Sequence, residues 1–208
     1  MAGYVSDAVV RRLPAYYRHL KELEAEGVTQ ISSQGLGERM RLTASQIRQD
    51  INCFGGFGRQ GYGYRVAELR SHIGEILGLD RAHKMIIVGA GNIGTAVARY
   101  DSFPRDAFFT QAVFDAAPEK IGREIGDMKV RDIAEVEAFI RREPVDIAVI
   151  AVPADKAQVL VDRLYSAGIK AFWNFAPIDL KLPQDAVAVN VHLSESLQIL
   201  SFRIEQSK

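Results

Sequence analysis

The sequence predicts an α/β chain of two modules, on three observations. Residues 1–80 read as short helices and one glycine-rich hairpin. Residues 81–193 alternate apolar runs with helical patterns, as a parallel sheet with crossover helices does. Residues 194–208 read as a separate terminal helix. A chain of 208 residues, 48% hydrophobic and 25% charged, has room for one large domain or two small ones, but not for a cofactor domain plus a full-sized catalytic domain. The join is expected near Leu79 to His83.

Composition excludes several classes. No apolar run approaches the ~18 residues of a membrane helix, and MAGYVSDAVVRRL lacks a signal pattern, so a cytoplasmic location with no membrane partner is expected. The single cysteine, Cys53, excludes an internal disulfide, and His19, His72, His83 and His192 show no ligand spacing, so no metal is expected. Globally 26 basic and 26 acidic residues cancel, yet Arg39, Arg41, Arg48, Arg59, Arg65 and Arg70 face only Asp50 and Glu68 in their stretch. Charge alone fits a solvated face as well as a nucleic-acid contact.

In the first module Val9, Val10, Leu13, Tyr17, Leu20 and Leu23 follow helical spacing, with Pro14 expected to open a new helix and Gly27 to end it. Ser33 is the expected cap of a second helix carrying Leu36 and Met40, and Thr43 with Gln46 predicts a capping box for a third. Ile47, Ile51 and Phe54 then form the buried face, leaving Ser45, Arg48, Gln49 and Asn52 to solvent. In GGFGRQGYGYRV, Gly61 and Gly63 permit a tight turn between Phe57 and the tyrosines Tyr62 and Tyr64, flanked by Arg59 and Arg65. Helix-turn-helix followed by such a hairpin predicts a winged helix-turn-helix that binds double-stranded DNA. Ser45, Arg48 (to guanine) and Gln49 (to adenine) are the expected base readers; Arg59, Gln60 and Tyr62 form the wing contact, and Arg12, with Arg11, a further phosphate contact. An ordinary helical dimerisation module is the competing reading.

The second module opens with KMIIVGAGNIG, an apolar strand followed at once by Gly89-Ala90-Gly91-Asn92-Ile93-Gly94 and a helical AVARY. Here Gly89 allows the turn, Gly91 lets a pyrophosphate approach the backbone, and Gly94 lets the helix pack closely, so a Rossmann-like doubly wound parallel sheet is predicted. The strand AVF ends at Asp115, placed to bind both ribose hydroxyls. Ala116 and Ala117 supply no arginine for a 2′-phosphate, which favours NAD⁺ and NADH over the phosphorylated pair. The strands VDIAVIAVP and IKAFWNFAP, flanking a helix from about Asp155 to Ala167, are expected to bring Pro153, Asn174, Phe175 and Pro177 to the nicotinamide half.

Hydride transfer needs a placed acid or base and a substrate surface. The tyrosine-x-x-x-lysine spacing occurs only at Tyr17 and Lys21, far from the fingerprint, and His192 is an isolated candidate, so no catalytic residue is assigned. A DNA-reading module joined to a nucleotide module without catalytic groups predicts a sensor. A small oxidoreductase with merely dimerising helices is the alternative, distinguished by turnover.

Across essentially the whole chain the sequence resembles the Rex family of redox-sensing transcriptional repressors, through RLPAYYRHLKEL, SQIRQDINCFGGFGRQGYGY, IIVGAGNIGTA, FD, AVP, GIKAFWNFAP and a terminal LSF. The resemblance implies a homodimer whose C-terminal helix is swapped onto the partner, with Leu193, Leu197, Leu200, Phe202 and Ile204 apolar enough for that role. It implies an inverted-repeat operator held when NADH is scarce and released when NADH binds. It also places Tyr100 near the nicotinamide, with a family aspartate as partner; this sequence carries His192 at the matching position.

Overall fold

The structure, a computed structural model, describes residues 6–55 and 63–207. The chain divides into two compact units, Met1–Arg81 and Ala82–Lys208.

In the first unit α1 (Asp7–Ala25) is one continuous helix with Pro14 inside it, rather than two helices meeting at the proline. Pro14 forgoes one backbone bond four residues back, on the flank of exposed Val10. Continuity aligns Val9, Leu13, Tyr16, Leu20 and Leu23 in one buried stripe, and it is Tyr16, not Tyr17, that is enclosed. Gly27, at φ 76°, follows the helix end. Strand β1 (Gln30–Ile31) leads to α2 (Ser33–Met40), whose cap is Ser32, accepting from the Gly35 N–H at 3.0 Å; Ser33 is the first helical residue.

Helix α3 (Ala44–Asn52) follows a left-handed turn at Arg41. Thr43 caps it, accepting from the Gln46 N–H at 3.1 Å, but the reciprocal half of the box is not made: the Gln46 side chain donates to Asp50 at 2.8 Å, a charged acceptor. Strand β2 (Tyr64–Arg65) pairs antiparallel with β1 and runs into α4 (Val66–Ile76). Leu13, Tyr16, Leu20, Leu36, Ile47, Ile51, Tyr64, Leu69 and Ile73 form the core. Phe57, Arg59, Gln60, Gly61 and Tyr62 lie outside the described residues.

The second unit contains, in chain order, β3 (His83–Val88), α5 (Asn92–Ala98), β4 (Phe108–Asp115), β5 (Glu124–Ile125), β6 (Met128–Asp132), α6 (Val136–Arg142), β7 (Ile147–Ile150), α7 (Ala154–Ser166), β8 (Ala171–Asn174), β9 (Val187–Asn190) and α8 (Leu193–Gln206). The sheet order is β5-β6-β4-β3-β7-β8-β9, parallel except for the β5–β6 hairpin. Omitting β5, this is the doubly wound order 3-2-1-4-5-6. One sheet face packs under α6 and α7 through Ile86, Phe114, Ile150, Phe139, Leu160 and Leu164. The other, bearing Met85, Ile87, Val113 and Val149, packs against Val97 of α5. Strands β8 and β9 are joined by a loop rather than a helix, and Val187 and Val189 of β9 stand 66% and 65% exposed.

Candidate nucleotide cavity and nucleic-acid face

The crossovers leaving β3 and β7 run in opposite directions from neighbouring strands, which opens a crevice at their carboxyl ends. A cavity of about 640 Å³ lies there, lined by Gly89, Gly91, Asn92, Ile93, Asp115 and Pro153 from the expected set, together with Ala116, Lys120, Ile133, Val152, Lys156 and Leu160.

The three glycines divide the work physically. Gly89 has φ 105°, and a side chain there would meet the Ala151 carbonyl oxygen at 2.3 Å, so the turn out of β3 accepts only glycine. A Cβ on Gly94 would come 1.8 Å from the Gly89 carbonyl oxygen, so α5 reaches its seat only without one. Gly91 differs: nothing lies within 4 Å of its would-be Cβ, and a side chain there would fill cavity space instead of meeting protein. The vacancy suits a group that approaches the backbone closely.

Asp115 ends β4 inside this cavity. Its Oδ2 accepts from the Ala90 N–H at 2.7 Å and from Lys120 Nζ at 2.9 Å, and its Oδ1 accepts from the Ala117 N–H at 2.8 Å. Burial pushes its pKa up, but the hydrogen bonds from Ala117, Lys120 and Ala90 outweigh burial and hold the carboxyl below its ordinary range. An ionised acceptor thus faces the cavity. Ala90 enters the site through this backbone bond, tying the fingerprint loop to Asp115.

Of the expected contacts, Ala90 and Gly94 sit behind the lining as parts of the turn, and four more, Tyr100, Asn174, Phe175 and Pro177, are not brought to it. Tyr100, 55% exposed, packs tilted against Phe103, ring centres 4.6 Å apart, and with it lines a separate groove that includes Arg99, Asp101, Phe109 and Asp127. Asn174 is fully buried and spends its amide N–H groups on the Ile178 carbonyl (2.7 Å) and Asn190 Oδ1 (2.9 Å) while accepting from the Ala176 N–H (3.0 Å). It pins the 174–178 turn and keeps no N–H for a ligand. Phe175 is half-buried against Trp173 at 4.6 Å, and Pro177 is exposed. His192, the residue before α8, lies 3.3 Å from Asp179 Oδ1, which also accepts from Asn190 at 2.9 Å. Lys120 and Lys156 were missed because neither belongs to the glycine fingerprint. Lys120 is legible only as a cation five residues past Asp115.

On the first unit, Ser45, Arg48, Gln49 and Asn52 are exposed on α3 while Ile47 and Ile51 are buried beneath. Three of the six arginines of that stretch are answered by carboxylates in three dimensions: Glu26 takes Arg39 in a fork at 2.8 and 2.6 Å, Glu24 takes Arg70 at 2.9 Å, and Glu68 takes Arg65 at 2.6 Å. Arg41, in the turn before α3, and Arg48, midway along α3, remain exposed. Arg12, expected at the DNA backbone, is committed to Asp50, donating from Nε at 2.7 Å and Nη2 at 2.8 Å. Tyr16 donates to the same carboxylate at 2.9 Å. Sequence reading missed Asp50 because an acidic residue on a basic helix looks like a surface charge.

Comparison with known proteins agrees with both halves. Residues 4–52 match a family model described as putative DNA-binding protein N-terminus, and residues 80–178 match one described as CoA binding domain. A redox-sensing transcriptional repressor Rex from a Thermoanaerobacter species is 52% identical over 98% of this chain and 91% of its own. The protein of that description from Clostridium beijerinckii is 50% identical over 98% and 97%. A crystal structure of RSP in complex with β-NAD⁺ and operator DNA superposes with TM-score 0.92 at 52% identity, covering 98% of this chain and 94% of RSP. RSP in complex with β-NADH superposes at 0.90 and 50% identity, covering 98% and 95%.

Proposed function

The chain belongs to the Rex family of redox-sensing transcriptional repressors, and on that premise we propose that it binds an inverted-repeat operator when NADH is scarce and leaves it when NADH binds. The observation that carries this reading is the union, in one chain, of an exposed polar α3 face with a doubly wound sheet whose crevice holds an ionised Asp115. Residues 1–80 read DNA, 81–193 take the nucleotide, and 194–208 exchange between subunits of a homodimer. Relatives matching 98% of the chain are repressors, so the nucleotide is a signal and not a substrate. Among the described residues no helix is long and apolar enough to cross a membrane, and a cytoplasmic location goes with the reading.

At the nucleotide site the Gly89–Gly94 turn seats the pyrophosphate over Gly91, Asp115 accepts the adenosine ribose hydroxyls, Val152 and Leu160 offer an apolar wall to the adenine, and Pro153 lines the cavity toward the nicotinamide half. When bound, the dinucleotide supplies a nicotinamide whose charge differs between its two redox states. Tyr100, Asn174, Phe175 and Pro177 act on the nicotinamide side, Asn174 by fixing the loop that carries Phe175 and Pro177. On DNA, Ser45, Arg48 and Gln49 read base edges, Arg59, Gln60 and Tyr62 reach the backbone or minor groove, and Arg12 acts through Asp50 by setting α3 on α1.

The switch is differential affinity: NADH favours the arrangement that cannot span both half-sites, and operator DNA weakens NADH binding by the same factor. A coupling of ~1–3 kcal/mol gives ~5–150-fold, enough for control. The test is fluorescence anisotropy of a labelled inverted-repeat duplex at fixed salt, with a scrambled duplex as control. Release by NADH at concentrations where NAD⁺ has no effect is expected. Specific binding indifferent to both nucleotides, or no specific binding, overturns the proposal.

A further inference from the structure

Asp115 has about four lone-pair positions, and three are taken by the Ala90 N–H, the Ala117 N–H and Lys120 Nζ. A ribose diol brings two hydroxyls, so one of these partners must give way. Ala90 and Ala117 donate from backbone fixed by the turns after β3 and β4, whereas Lys120 sits on a flexible stem that is about one-third exposed. Lys120 is therefore the partner that moves, and it moves within the space beside the ribose 2′ position.

Resting on the reading of this cavity as an NAD(H) site, we propose that Lys120 is its specificity-determining cation, setting how the site treats a 2′-hydroxyl against a 2′-phosphate. With a 2′-hydroxyl, Asp115 accepts the diol and the ammonium swings aside at little cost. A 2′-phosphate meets the repulsion of Asp115, offset by the charge of Lys120 held 2.9 Å from that carboxylate. The phosphorylated dinucleotide is thus disfavoured but admitted, and Lys120 is what admits it. Lys156, which lines the same cavity, lies 3.3 Å from Asp155 on α7 and is the rival for this role.

The test measures NADH and NADPH affinity on the full-length protein, by quenching of Trp173, the chain's single tryptophan, with calorimetry as a second readout. Lys120→Met, Lys156→Met, Asp115→Asn and the double variant Asp115→Asn with Lys120→Met are compared with the parent, each checked for folding by circular dichroism. Lys120→Met is expected to shift the NADH:NADPH preference toward NADH by roughly tenfold, the scale of one charge-assisted contact. Asp115→Asn is expected to tighten NADPH, and adding Lys120→Met to cancel that gain. An unmoved ratio in both backgrounds, a ratio moved by Lys156→Met instead, or no NADPH binding to either the parent or Asp115→Asn overturns the role of Lys120 while leaving the NADH site standing. A parent protein that binds no NADH overturns both.

Discussion

Replacing Asp50 by alanine tests what sets the reading helix in place. The carboxylate is 1% exposed and accepts four hydrogen bonds: two from Arg12 at 2.7 and 2.8 Å, one from Tyr16 at 2.9 Å and one from Gln46 at 2.8 Å. The groups left behind fare differently. The Arg12 side chain is 29% exposed and recovers water, as does half-buried Gln46. Tyr16 is fully buried and is left with an orphaned hydroxyl.

An unsatisfied buried hydroxyl costs ~1–3 kcal/mol, and partial loss of the Arg12 pair brings the expected total to about 3 kcal/mol. The sign with pH is fixed. Burial pushes the Asp50 carboxyl up, but the hydrogen bonds from Arg12, Gln46 and Tyr16 outweigh it and leave the folded pKa lowered. Its stabilisation is therefore present above the unfolded value of ~3.9 and is lost as pH falls through the lower folded value. Urea unfolding followed by far-ultraviolet circular dichroism should show the parent-minus-variant gap at pH 7 and its progressive closure in acid. Tyr16→Phe, which strands no group, should cost less. A loss under ~1 kcal/mol at pH 7, against the desolvation scale above, or a gap unchanged into strong acid, refutes this account of α1 and α3.

The remaining predictions concern the two surfaces and the interface. Gly91→Val should fold with parental stability, since its backbone (φ −85°, ψ −166°) accepts a side chain and nothing lies within 4 Å, yet it should lose NADH affinity by more than ~tenfold in calorimetry. Gly94→Ala should instead lower thermal stability by ~3 kcal/mol or more, because its methyl meets backbone. Arg48→Ala should cost ~1–3 kcal/mol on the operator and little on random DNA in anisotropy titrations; equal losses would remove it from base reading. In the proposed homodimer, Leu197→Arg with Leu200→Arg should leave a monomer in sedimentation, and with it abolish binding to the full inverted repeat.

Legibility followed the range of the interactions. The fingerprint, the Thr43 cap and the Ile47–Ile51 face depend on neighbours a few residues away, so spacing exposes them. Pro14 misled because the local rule of proline at a first turn yielded to a long-range reward: one unbroken helix buries Leu13, Tyr16 and Leu20 together. Arg12 and Asp50, separated by 38 residues, form their fork only once α1 and α3 have packed, and no spacing rule links them. Asn174 shows the opposite failure. It stands at the carboxyl end of a strand, where ligands bind, but an amide buried there must first satisfy itself, and it does so on the turn and on Asn190.

The same logic of unsatisfied groups explains why a second copy is part of the proposed function. Helix α8 buries none of its residues, though Leu193, Leu197, Leu200, Phe202 and Ile204 are all apolar and more than half exposed. The chain also leaves Val187 and Val189 bare on the β9 edge, because the connection from β8 carries no helix. Both surfaces are apolar, and in the proposed homodimer a mutual exchange of α8 across a two-fold axis would cover both at once. That axis would present two α3 helices in symmetric register, which is why the expected operator is an inverted repeat and not a single site. A nucleotide need then alter only the relation between subunits to withdraw one helix from its groove, and the energy of half the contacts is lost without any change within α3 itself.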